Sequence, residues 1–195
     1  MLFYSHVTNG DIAHLPTTIE TFLGLCSHLS RDKNNLIVFF EPLSSPLTHA
    51  EYRAVFWNTL LYLQHNDPKP PTGTANVDYS DPLWEFPFSA NRLFVLGVSP
   101  SYKQRQSRNL GPGLIMVFQP RQIFQDHITG NQIGAEARTY IRQRLERWDG
   151  VPPHPDLNVY GQSRNREWAQ YFIADEQVSE AGCCPLRRLG RRTKL

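Results

Sequence analysis

At 195 residues, with 40% hydrophobic and 12% aromatic side chains, the chain can bury a real core, which excludes wholesale disorder. The net charge is only +2, and five cations (Arg187, Arg188, Arg191, Arg192 and Lys194) crowd the last nine residues; subtracting them leaves −3. That balance excludes a basic, nucleic-acid-binding body. No apolar run reaches the length of a membrane span, and the first residues lack a charged-then-apolar leader pattern, so a soluble, cytoplasmic protein without membrane contact is expected. Three cysteines make no disulfide framework: Cys26 reads as core packing, and Cys183 and Cys184 as reduced thiols.

In chain order, residues 1–30 are weakly patterned, with helical spacing over 17–29 that puts Ile19, Phe22, Leu23 and Cys26 on one face. Residues 35–41 (NLIVFFE) read as a buried strand stopped by Pro42. The strongest helix is expected over 44–65. Thr48 and Glu51 have capping-box spacing, Leu47 and Tyr52 fit the flanking staple, and Tyr52, Val55, Phe56, Leu60 and Leu63 form the apolar face. Residues 84–88, 93–98 and 114–118 are three further strands, short, apolar and bounded by Pro, Gly and Asn. A second clear helix spans 133–148, with Ala137, Ile141, Leu145 and Trp148 on one side and arginines on the others; Asp149-Gly150 ends it. Residues 151–171 are loop-like, with a helical turn over 166–172. The pattern predicts an α+β domain over 1–182: a mostly antiparallel sheet of about four or more strands, flanking helices and long Pro-rich loops. Residues 183–195 read as a basic, disordered tail.

The loop joining the last two strands carries Lys103, Arg105 and Arg108 and no acid. Long loops between core strands are frequently functional, and cations without local counter-charges point to an anionic partner. The competing reading pairs these cations with acids elsewhere in the fold. Nucleophile elbows, phosphate loops, dinucleotide fingerprints and HExxH are all missing, which sets aside the commonest hydrolase, kinase and dehydrogenase classes. A haem or small-molecule pocket remains. Haem needs an apolar cavity, an axial ligand and cations for its propionates. Seven histidines are available; His65, ending an aromatic helix, is the first candidate, and His127 and His154 are the alternates.

From residue 81 onward the runs DPLWEFPF, SPSYKQRQSRNLGPG, LIMVFQPRQIF, IRQRLERWDG and PPHPDLNVYG, followed by NREWAQY, resemble the YqcI/YcgG family, with a looser match over 35–68. The resemblance implies an activity found in some relatives: haem-dependent oxygenation of a guanidine nitrogen of arginine or an arginine-like substrate. It further implies an electron donor, a carboxylate such as Asp81 or Glu85 for the guanidinium, and Lys103, Arg105 or Arg108 for the substrate carboxylate or a propionate. At Ser99-Pro100 the haem-using branch commonly reads His-Pro. The alternatives are a haem-free protein binding a small anion and a truncated, inactive relative.

Overall fold

The computed structural model describes residues 2–28, 34–71, 77–121, 132–179 and 182–192. Its centre is a five-stranded sheet in the order β1-β2-β5-β4-β3, formed by β1 (Leu2–Val7), β2 (Asn35–Phe40), β3 (Phe86–Phe88), β4 (Asn91–Val98) and β5 (Ile115–Pro120). β2–β5, β5–β4 and β4–β3 pair antiparallel, so the α+β, mostly antiparallel expectation holds. The exception is β1, which runs parallel to β2 from Leu2 opposite Asn35 to Val7 opposite Phe40. That geometry demands a crossover, which α1 (Leu15–His28) supplies. Weak patterning over the first thirty residues hid this strand. Its side chains alternate between exposed and half-buried, and pairing with β2 defines it.

Register puts Leu36, Phe118 and Val95 in one row across the sheet and Val38, Met116 and Gly97 in the next. All six are buried. α1 contributes Leu15, Ile19, Phe22 and Leu23 to the same core, and α2 (His49–His65) contributes Tyr52, Phe56, Trp57, Leu60 and Leu63. α2 begins later than residue 44 because its start is set by the capping box. The Thr48 hydroxyl accepts the Glu51 amide at 3.3 Å, while the Glu51 carboxylate accepts the Thr48 amide at 2.7 Å. At Gly97 an added Cβ would lie 2.6 Å from the Phe172 ring and 2.8 Å from that of Phe56, so only glycine lets α2 and the 172–173 segment approach β4 this closely.

α3 (Gln132–Asp149) forms where expected, but Ile141 and Trp148 of its apolar face are 52% and 67% exposed. α4 (Glu167–Tyr171) is short and almost wholly buried. The expected disordered tail is corrected in part: α5 (Pro185–Arg192) forms and packs on α2, because Cys184 and Leu186 are buried in the core. Among the described residues no helix is long and apolar enough to cross a membrane.

Candidate functional site

The basic loop, residues 99–114, turns out to hold its anions within the chain. Asp175 places its carboxylate in the turn, where the consecutive amides of Lys103, Gln104 and Arg105 donate to it at 2.9–3.2 Å. Successive backbone N–H groups form an anion-binding concavity of this kind. Asp149, ending α3, accepts the Ser107 amide at 2.7 Å and the Ser107 hydroxyl at 2.8 Å. The side chains divide differently. Lys103 is exposed. Arg108 is buried and donates to the carbonyls of Gly97, Gln170 and Tyr171 at 3.3–3.5 Å. Arg105, 2% exposed, donates through Nη1 to the Pro152 carbonyl, while its Nε and Nη2 find no partner among the described residues. The loop is therefore an organising centre of the fold, and the acids that satisfy it come from elsewhere in the chain.

The two carboxylates proposed for a guanidinium lie apart in role. Asp81 is exposed and accepts the Leu83 amide at 2.8 Å in a local turn. Glu85 is buried and already faces a guanidinium of this chain, that of Arg121 at 3.1 Å, which also stacks 3.2 Å from the Tyr160 ring centroid. Asn165 donates to Glu167 at 2.9 Å and accepts from Gln170 at 2.8 Å close by. Burial pushes the Glu85 carboxyl up to about 7 against the pull of Arg121, and raises Glu167 as well.

The histidines fit haem poorly. His65 is exposed, beside a cavity of about 200 Å³ lined by Pro70, Pro71, Tyr79 and Trp84. That volume is smaller than the roughly 300–1,000 Å³ of ordinary ligand pockets. His154 is buried, and its Nδ1 accepts the Asp156 amide at 3.2 Å, so the neutral ring carries its proton on Nε2 and has no lone pair left for iron. Burial lowers its pKa, which keeps it in that neutral form. His127 lies outside the described residues. Ser99 is buried with its hydroxyl 2.7 Å from that of Ser101. The described histidines assigned by sequence therefore do not present an axial nitrogen to a haem-sized cavity.

A cavity of about 680 Å³ opens between α2, α4 and α5. His49, Arg53 and Trp57, one turn apart on α2, form one wall; Trp168 and Glu176 form another, and Cys183 and Leu189 close it from the α5 side. His49 also has both nitrogens engaged: Nε2 donates to the Ile173 carbonyl at 3.2 Å, and Nδ1 lies 3.0 Å from the Ser101 hydroxyl. Its ring packs edge-on to Tyr102, and its role is to fix the cavity wall. Trp168 donates its indole N–H to the Tyr79 carbonyl at 2.9 Å. Trp57 is 3% exposed and its Nε1–H has no partner among the described residues. None of the residues expected from sequence lines this cavity. The i, i+4, i+8 spacing of His49, Arg53 and Trp57 was the available signal, hidden because the same helix face reads as core.

Among relatives, YcgG of Bacillus subtilis (strain 168), an uncharacterized protein, is 35% identical over 161 residues, covering 80% of this chain and 63% of its own. YqcI of the same organism, also uncharacterized, is 30% identical over 190 residues, or 96% of this chain and 74% of its own. A Streptomyces lavendulae protein named "putative N(omega)-hydroxy-L-arginine synthase DcsA" is 31% identical over 184 residues, with coverages of 90% and 67%. The chain thus spans between about three fifths and three quarters of these relatives' lengths. No solved structure matches it. The YqcI/YcgG family profile matches residues 1–187, and with relatives of 30–35% identity across most of its length the chain belongs to the YqcI/YcgG family.

Proposed function

We propose that the protein is an N-hydroxylating oxidoreductase acting on a small arginine-like molecule bound between α2, α4 and α5. The observation that carries this reading is the match over 90% of the chain to the relative named "putative N(omega)-hydroxy-L-arginine synthase DcsA". The 680 Å³ cavity supports it in three ways: its size suits an amino acid with a partner group, the aromatic side chains of Trp57 and Trp168 are part of its lining, and Glu176 supplies an exposed carboxylate.

Inserting one oxygen atom of O₂ into an N–H bond consumes two electrons and two protons and releases water, so a reductant must act with the protein. Haem is the cofactor that the family resemblance implies for this chemistry. Neither His65 nor His154 fits it. The chain's own contribution is to orient the substrate and exclude water.

The test is direct. Protein purified from haem-supplemented cells is scanned for a Soret band, then incubated with arginine and agmatine under O₂ with a chemical reductant, and products are weighed by mass spectrometry. Gain of one oxygen by either guanidine compound, lost on boiling the protein, is the expected result. Unchanged substrates in both the haem-loaded and the haem-free preparation overturn the reading. His65→Ala and His154→Ala should leave any Soret band in place.

A further inference from the structure

The helical period of α5 places positions 187, 188, 191 and 192, all arginine, on one side and Leu186 and Leu189 on the other. The apolar side is already occupied: Leu186 is buried in the core and Leu189 packs against it. That leaves no free apolar face to sink into a lipid surface. A nucleic-acid binder spreads cations over its body, yet subtracting the five cations of the last nine residues from +2 leaves −3. Here the cations gather beside one opening. Pro185 and Leu189 of α5 line the 680 Å³ cavity, and Arg164 and Arg166 line the hollow next to it, which shares Trp168 and Gly182 with it. Arg164 and Arg187 are exposed. Asp78, whose carboxyl Ser80 holds below its usual range by hydrogen bonding, also feels Arg166 and Arg187, so the segment before α4 and α5 present their charge together. Asp78, Asp156 and Glu176 border the same surface and offset part of that charge.

We propose that this arginine surface, built from α5 and residues 164–166, is the docking face for an acidic electron-donor protein; this rests on the oxygen-inserting activity proposed above, which needs two electrons from a reductant. Position supports it as well as charge. α5 forms one wall of the cavity, so a donor seated on its arginine side stands one helix away from the substrate, and electron transfer weakens steeply with distance. Arginine suits such a contact, because its guanidinium forks onto carboxylates. A donor must also arrive quickly and leave again, which a small, charged interface permits.

The experiment titrates the full chain by calorimetry with two acidic electron carriers, a plant-type [2Fe–2S] ferredoxin and a flavodoxin. Phosphatidylserine vesicles and a DNA duplex are the comparison probes. At least one carrier should bind, and raising salt from about 0.05 M to about 0.3 M should weaken it about tenfold or more. The variant R187Q/R188Q/R191Q/R192Q should lose a similar factor, while Arg144→Gln, exposed on α3, should lose none. In ¹⁵N-labelled wild type the backbone amide peaks of residues 164–166 and 186–192 should move on adding the carrier, and those of α3 should stay. This readout decides even if the fourfold variant fails to fold. Binding by neither carrier, or binding indifferent to salt and to the four arginines, overturns the proposal. Tighter binding of the vesicles or the duplex overturns it in favour of a membrane or a nucleic acid. Docking at α5 with arginine and agmatine left unoxidised upholds the proposal, and only the guanidine reading falls. Hydroxylation driven by a chemical reductant, with neither carrier bound, overturns the docking face and leaves the activity standing.

Discussion

Asp175 lies seventy residues from Arg105, yet its carboxylate accepts the Arg105 amide at 3.1 Å and the two preceding amides beside it. The basic loop is thereby built around an acid from the far side of α4. Asp175→Ala leaves three inward-facing amides without an acceptor and should cost about 3 kcal/mol or more, with Asp175→Asn losing less because its side-chain carbonyl still accepts. Urea unfolding of both variants checks the order; equal stability for wild type and Asp175→Ala would remove the nest from the account.

Glu85 and Arg121 form a buried ion pair. Removing Arg121 alone, as Arg121→Met, leaves the Glu85 carboxyl in the core without its partner and should destabilise by about 3–5 kcal/mol. The double variant Glu85→Gln, Arg121→Met should regain part of that loss, read from the same unfolding curves.

The same carboxyl gives stability a pH dependence. Its folded pKa is raised to about 7 by burial, whereas the unfolded chain has the ordinary carboxylate value, so the folded state holds the proton longer. Between roughly pH 4.5 and 7 the folded form binds more protons than the unfolded one, and this contribution to stability declines as pH rises. The stability of wild type relative to Glu85→Gln should therefore be lower at pH 7.5 than at pH 4.5. A difference that grows with pH contradicts the assignment.

Gly97→Ala tests the approach of α2 to β4. A methyl group 2.6 Å from the Phe172 ring forces that ring or Phe56 to move, at a cost of about 1–3 kcal/mol. Phe172 packs against His49 at 5.1 Å, so the substitution should also weaken ligand binding in the cavity, measured by titration of the folded variant.

Cys184 and Cys183 adjoin but differ in reach. Cys184 is fully buried, and burial pushes its thiol up to about 12, while half-buried Cys183 lines the cavity. In native protein at pH 8, iodoacetamide should modify Cys183 well before Cys184, and a bound ligand should slow it. Mass spectrometry of peptic fragments assigns the label.

Local chemistry was readable and long-range chemistry was not. The capping box at Thr48 and the strands β2, β4 and β5 follow from neighbours within a few residues, and they form where the sequence places them. Strand β1 was missed because its half-polar alternation acquires meaning only beside β2. The cations of the loop were conspicuous, but their surroundings come from Asp149, Pro152, Gln170 and Asp175, whose proximity no spacing rule encodes. The cavity drew on α2, α4 and α5 at once, and its α2 wall looked like ordinary core.

The nest at residues 103–105 also has a consequence for synthesis on the ribosome. Strands β4 and β5 and the turn between them emerge well before Asp175 is translated, so the turn's amides stay open to solvent through that interval. Hairpin closure should therefore be completed late, when Asp149 and then Asp175 arrive, which places this part of the molecule among the slow, non-local steps of folding. Until then the growing chain exposes an unfinished sheet to chaperones and proteases.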